Sequence, residues 1–349
     1  MKKVLPTSLL AASWIVSAAA WAGHPLPKYA LIEIPSIVAA GGSMSAAAIN
    51  DRDEVVGNAT QPDGAPFFGA ALAFFYQHRS GAVNQLTFGS EQNSFAFGIN
   101  DKGIIAGYAE TPDLPQAVLW SRIGGAEGLG PASIAMAVNE RGTVVGNFDC
   151  DVADCAAVWS GTTHVFASLP GLSPPPPPPY CFAPPPQSNA LAINDKGHVV
   201  GWAEAVGECA GGAVEWRDGN ITLLVPDAAS GSSVANGLND QDDVVGVSGD
   251  HAFLYHRGRV SDLGTLPGDA SSSANAINDD GEIVGVSQDV NGNSRAFVYV
   301  NGRMYDLNSL ADTGSVTLQE AVGINSQGSI AASGTRGGQQ YAYLLKRVR

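Results

Sequence analysis

Metal and nucleophile chemistry needs particular residue types at close spacing, and this chain offers few such groupings. Its six histidines, His24, His78, His164, His198, His251 and His256, include no pair at the i, i+4 spacing that would put two imidazoles on one helix face around a zinc ion. There is no G-x-S-x-G nucleophile elbow and no glycine loop ending in Lys-Ser or Lys-Thr to cradle a phosphate. Asp289, Asn291 and Asn293 alternate like the first ligands of a calcium loop. Position six of that loop is Ser294 and position twelve is Val300, where calcium loops need Gly and a bidentate Glu, so the stretch reads as a polar turn. No catalytic, cofactor-binding or metal-ligating residue is therefore assigned. Carboxylates from distant parts of the chain could still meet to hydrolyse or eliminate a glycosidic bond. A glycosidase or lyase thus stands as the alternative to a non-enzymatic role.

Two residue types do recur in a pattern. Asparagine returns at Asn50, Asn100, Asn139, Asn194, Asn239, Asn278 and Asn325, with spacings of 50, 39, 55, 45, 39 and 47 residues. Each follows an aliphatic residue, usually precedes an acid, and is followed by a turn residue and an aliphatic doublet, as in Ala192-Ile193-Asn194-Asp195-Lys196-Gly197-His198-Val199-Val200. The pattern reads as a hairpin whose fourth turn residue takes positive φ, a position suited to Gly. Asp53 and Asp242 replace that Gly, and Asp tolerates the same conformation better than most residues. The asparagine side chain is expected to satisfy backbone groups of its own turn. A ring of seven such side chains around a channel mouth, binding a ligand or cation, is the sharper alternative.

A second hairpin follows in each unit. It opens with Ala and closes on an aromatic residue, as in Ala117-Val118-Leu119-Trp120, Ala213-Val214-Glu215-Trp216 and Ala252-Phe253-Leu254-Tyr255. The regular place of Trp120, Trp159 and Trp216 in the repeat marks them as core residues rather than sugar platforms. Four short strands per repeat, repeated at about 46 residues, predict an all-β, seven-bladed β-propeller. The last repeat lacks a fourth strand, and residues 29–34 form a strand before the first asparagine turn. That N-terminal strand is expected to complete the last blade and close the ring. An open β-solenoid or two packed β-domains are the competing arrangements.

Residues 1–22 read as a secretory signal peptide, with Lys2 and Lys3, an apolar run over residues 9–20, and Ala20-Trp21-Ala22 ahead of Gly23. Residues 23–349 then form one domain that is secreted or periplasmic, with no membrane span after signal removal. The net charge of the full 349-residue chain is −15, from 18 basic and 33 acidic residues. That balance argues against nucleic acid as a partner, because phosphate contacts need clustered Lys and Arg. The cysteines, Cys150, Cys155, Cys181 and Cys209, are even in number in an exported chain and read as disulfides. The favoured pairing is Cys150–Cys155 with Cys181–Cys209. A proline-rich insert at 170–187 contains six consecutive prolines at 174–179 and reads as a stiff surface spacer.

His251-Ala252-Phe253, Asp262-Leu263-Gly264-Thr265-Leu266, Ser273-Ala274-Asn275-Ala276-Ile277-Asn278 and Ile283-Val284-Gly285 together resemble the HAF-repeat family of extracellular bacterial repeat proteins. Arg295-Ala296-Phe297 with Asp306-Leu307 is a weaker copy. The resemblance implies an extracellular or envelope setting and carries no established activity. The longest and least regular loops, at 58–69, 149–154, 169–189, 203–212 and 288–294, all fall between hairpins or between repeats. In a propeller these share one face. Function concentrates on variable loops held by a rigid scaffold, so the chain reads as a binding or scaffold module for an envelope or extracellular ligand, protein or glycan, held by that face.

Overall fold

In all seven repeats the asparagine closes a tight hairpin. The amide of the fourth turn residue donates to the asparagine carbonyl at 2.9–3.2 Å. That fourth residue has positive φ throughout, from +57° at Asp53 to +91° at Gly197, with Asp242 at +66°. The computed structural model describes residues 26–62, 71–90, 93–150, 153–160, 165–172, 187–204, 211–225 and 233–348. The expected signal peptide, Cys181, Cys209 and the proline run at 174–179 lie outside the described residues.

The described strands form seven four-stranded antiparallel sheets. The chain is a seven-bladed β-propeller. Blades one to six occupy residues 43–86, 94–131, 133–168, 188–223, 233–264 and 271–306, each in simple up-and-down order from the innermost strand outward. Blade seven takes three strands from the C-terminal end, Thr317–Ile324, Ile330–Arg336 and Gln339–Val348, and its outermost strand from Lys28–Glu33. The register of that closure is antiparallel, from Lys28 opposite Val348 to Glu33 opposite Tyr343. The N-terminal strand thus completes the ring as its position in the sequence predicts.

The aliphatic doublet explains how one strand serves two blades. Successive side chains on a strand point to opposite faces. Val55 packs into the core shared with blade seven, and Val56 into the core shared with blade two. Val144 and Val145, Val199 and Val200, and Val244 and Val245 divide in the same way. Seven apolar cores result, one in each gap between neighbouring blades. Each fully buried Val or Phe in such a gap contributes about 1.5–3 kcal/mol. Trp120, Trp159 and Trp216 are at most 3% exposed and belong to these cores, as their place in the repeat predicts. Their blades accommodate the polar edge of the indole. Trp120 Nε1 donates to the Thr87 carbonyl at 2.8 Å and Trp216 Nε1 to the Pro170 carbonyl at 2.7 Å.

The glycine after the doublet has a separate cause. The innermost strand of blade four carries a bulge between Ala190 and Ala192, which presses its backbone toward the second strand. A Cβ at Gly201 would lie 1.9 Å from the Asn189 carbonyl oxygen, and Gly107, Gly146 and Gly246 face the same 1.9 Å clash. Gly201→Ala is therefore expected to cost about 1–3 kcal/mol, read from the urea midpoint. Gly171→Ala, where a Cβ meets nothing within 4 Å, should leave that midpoint in place.

Candidate functional site

Alternation of strand direction sorts the turns onto two faces. The asparagine turns and the turns joining third to fourth strands share one face. The loops joining second to third strands, and blade to blade, share the other.

On the turn face the seven asparagines form a closed cycle. Each Oδ1 accepts the amide four residues on within its own turn, at 2.9–3.0 Å. Each Nδ2 donates to the asparagine carbonyl of the next blade, at 2.9–3.1 Å, from Asn50 to Asn100 and so on to Asn325, which returns to Asn50. The expectation that these side chains serve their own turns covers only the acceptor half of their role. The donor half joins blades, because the repeat places every turn one blade-width from the next. All seven are 4–5% exposed.

A second set of contacts lies around the same mouth, in which each carboxylate reaches back to an amide of the preceding blade, so that donation again runs from one blade to the next. Asp101 Oδ1 accepts the Asp51 amide at 2.7 Å, Asp195 accepts from Glu140 at 2.8 Å, and Asp240 and Asp279 accept from Asp195 and Asp240 at 2.9 Å. Glu140 accepts from Asp101, and Asp51 accepts the Ser326 amide at 2.8 Å. The acids after each asparagine are thus backbone acceptors between blades, around a cavity of about 240 Å³. Burial pushes the Asp101 carboxyl up. The Asp51 amide opposes this, the Asp51 and Asp195 charges add to it, and Arg52 opposes it. Glu140 is raised by burial in the same way. Among the described residues, no group of three or more His, Cys, Asp or Glu is arranged to hold a metal ion.

The two turns that lack glycine gain an extra bridge. Asp53 accepts from Asn325 Nδ2 at 3.1 Å and pairs with Lys346 of blade seven. Asp242 accepts from Asn194 Nδ2 at 3.1 Å, pairs with His198 Nδ1 at 2.8 Å and Lys196 Nζ at 3.2 Å, and lies 3.7 Å from Arg217 Nη1. Burial pushes the Asp242 carboxyl up, but its bonds to His198 and Lys196 outweigh that and hold it below the usual range. Asp at the turn position, with a basic residue available one blade earlier, is the signal that the sequence reading passed over.

Serine supplies a further stitch near the opposite face. Ser94, Ser133, Ser188, Ser233 and Ser272 each accept, through Oγ, the amide of an alanine near the start of the third strand of the preceding blade, at 2.8–3.3 Å. The His-Ala-Phe element has a related logic. His251 Nδ1 pairs with Asp262 at 2.9 Å across the outer two strands, and in blade six Arg295 and Asp306 take the same places at 3.2 Å.

The loop face holds a cavity of about 460 Å³ at the seam of blades two, three and four. Leu114, Pro115, Ile134 and Phe148 form its apolar wall, and Asn147, Asp149, Asp154 and Gln187 supply polar groups. Phe148 is braced edge-on by Phe166, with centroids 4.7 Å apart. Asp149 and Asp154 face each other in register across one hairpin, and the expected Cys150–Cys155 disulfide closes it, with Cα atoms 5.9 Å apart. Asp289, placed elsewhere on this face, accepts the amides of Asn291 and Asn293 at 2.8 and 3.0 Å, the bonding of a self-contained polar turn.

No family model matches the chain, and no curated protein matches it by sequence. Solved structures match in fold. Acylaminoacyl peptidase from Pyrococcus horikoshii aligns over 88% of this chain and 52% of its own, at 12% identity and a TM-score of 0.59, so this chain spans about half the length of that peptidase. The β-propeller domain of the trilobed protease from Pyrococcus furiosus aligns over 88% of this chain and 97% of its own, at 11% identity and a TM-score of 0.58. Virginiamycin B lyase from Staphylococcus aureus aligns over 92% and 99%, at 11% identity and a TM-score of 0.53. Similarity at this level is similarity of fold alone.

Asn139→Ala removes two turn acceptor bonds and one bond between blades, and is expected to cost at least about 2 kcal/mol. Asn139→Asp keeps the turn acceptor but sets an oxygen against the Asn194 carbonyl. It should be nearly as damaging in chemical denaturation, whereas a role confined to the turn would leave it close to wild type. Asp101→Asn retains the acceptor for Asp51 and removes a repelled charge, so it should not destabilise at neutral pH. A carboxyl raised in the folded state contributes most stability below its unfolded pKa, and that contribution is lost as pH rises through the folded value. Thermal melts across the carboxylate range should therefore show wild type gaining on Asp101→Asn as pH falls.

Proposed function

We propose that the chain is an exported, non-enzymatic binding module that holds a glycan in the loop-face cavity between blades two and four. The observation that carries this reading is the composition of that cavity. An apolar wall that includes Phe148 and Pro115 suits the C–H face of a sugar ring. Asn147, Asp149, Asp154 and Gln187 offer amide and carboxylate partners for hydroxyl groups on the same small surface. Among the described residues, the two carboxylates in it belong to adjoining strands of one blade, and no arginine lines the cavity. That is the arrangement of a recognition surface rather than of two acids brought together from different blades.

Export is supported by the Lys2-Lys3 start, the apolar run and the Ala20-Trp21-Ala22 site in the sequence. The Cys150–Cys155 bond also supports it, since disulfides persist in oxidising compartments. Membership of the HAF-repeat family is consistent with the His251–Asp262 pair and its Arg295–Asp306 counterpart, which give the motif's basic and acidic positions a common purpose. Among the described residues, no helix is long and apolar enough to cross a membrane.

A glycan array, run beside a glycosidase and lyase screen on the same ligands, tests the reading. Binding without release of reducing ends or unsaturated products is expected. Asp154→Ala should weaken that binding about tenfold, the loss of one hydrogen bond to a charged group, with the melting temperature unchanged. Turnover of a bound glycan would favour the enzymatic alternative, and an array without hits would remove the glycan.

A further inference from the structure

The turn face carries a second cavity, about 300 Å³, at the seam of blades one and two, away from the loops. Its character is opposite to that of the rest of the molecule. The chain has a net charge of −15, yet this cavity is lined by Arg52, Arg79, Arg122 and His78 against a single acid, Glu54. Glu54 is already committed. Its Oε2 takes Asn50 Nδ2 at 2.7 Å and pairs with Arg122 Nη2.

The three arginines differ in how they are held. Arg122 reaches from blade two across the seam to Glu54, and its backbone amide is fixed on the Gly103 carbonyl at 2.9 Å. Its side chain lies over Gly103, where a Cβ would come within 2.9 Å of both Arg122 Cβ and Nε. The buried Nε has no hydrogen-bond partner in the structure. Arg52 and Arg79 are exposed at the rim and, among the described residues, make no salt bridge. Arg52 also lies within the electrostatic reach of Asp101. One guanidinium paired with Glu54 and two at the rim without a salt bridge leave donors around a concave surface that a further anion can take. Guanidinium forks match the oxygens of carboxylates and phosphates.

The rest of the wall is neutral and rich in hydrogen-bonding groups. Ser80 Oγ donates to the Gln77 carbonyl at 3.4 Å, and His78 Nδ1 lies 3.5 Å from the Tyr76 hydroxyl. These groups suit hydroxyls rather than hydrocarbon. A volume of about 300 Å³ is at the small end for ligand sites, which fits one ring rather than a polymer.

We infer that this cavity is a binding site for a small acidic sugar, in which an oxyanion lies among Arg52, Arg79 and Arg122 and a hydroxylated body lies along Gln77, His78 and Ser80. The oxyanion can come from a uronic acid or from a sugar phosphate, and the two are separated by experiment. Calorimetric titration of the purified chain at low ionic strength should show binding of glucuronate or glucose 6-phosphate, and the tighter of the two identifies the source. Glucose should bind far more weakly, and added salt should weaken the anion, because an exposed charged contact is screened. Arg52→Gln and Arg79→Gln should each reduce affinity about tenfold without lowering the melting temperature, since neither side chain bridges the fold. Asp154→Ala on the loop face should leave this binding unchanged, so failure here and failure of the loop-face reading are distinguishable. The inference is overturned if neither acid binds at low salt, if glucose binds equally well, if inorganic phosphate matches the sugar acids, or if the Arg52→Gln, Arg79→Gln double variant binds as wild type does.

Discussion

The architecture depends on one primary amide used at both ends. The asparagine oxygen closes a hairpin within a blade, and its nitrogen reaches the carbonyl of the next hairpin. A buried amide must be fully bonded, so neither half can be dropped without exposing the cost of the other. Because Asn325 returns to Asn50, the series has no terminal member. Each turn is positioned by the preceding one and positions the following one. The acids that follow six of the asparagines reach back to amides of the preceding blade, so most seams on this face carry a second bond beside the asparagine one.

That constraint explains the contrast between the two faces. On the turn face the same few residues recur because their geometry is shared with neighbours. On the loop face nothing has to match, and lengths and compositions diverge. Apart from the serine stitches and local ion pairs, its loops are free to be shaped by a ligand. The cavity beside the Cys150–Cys155 hairpin is one result. The arginine cavity on the turn face departs from the uniformity around it, with three arginines beside a channel mouth whose lining is otherwise acidic.

Much of the fold is legible in the sequence because its causes are local. The turn chemistry after Asn194, the doublet Val199-Val200 and the aromatic at Trp216 each follow from strand alternation and backbone sterics, and the missing last strand points to residues 29–34. What is not legible arises between blades. Nothing near Asn139 in the chain shows that its nitrogen meets a carbonyl 55 residues on. Ser188 gives no local sign that it accepts from Ala156, and Asp242 reads as a tolerated substitute for glycine until His198 and Lys196 are seen beside it. The sequence points to the loop face through its irregular loops, but not to a cavity there or to its residues, because that cavity is assembled from three blades. The arginine cavity was not foreseen, since Arg52, Arg79 and Arg122 come from three separate turns.

The closing strand also sets an order of events. Lys28–Glu33 takes its ladder from Gln339–Val348 and touches residues 310–311 through one bridge at Tyr29, so this strand waits for a partner more than 300 residues further along the chain. Until then one apolar sheet edge has no partner, and the entropy of bringing the chain ends together is paid late. Lys346 and Arg347, side by side on that final strand, tie it to Asp53 of blade one and Glu282 of blade six. A nascent chain released a few residues early would therefore lose its clasp on both sides at once. It would present an adhesive rim to its siblings, which makes the Gln339–Val348 strand a quality checkpoint for the whole ring.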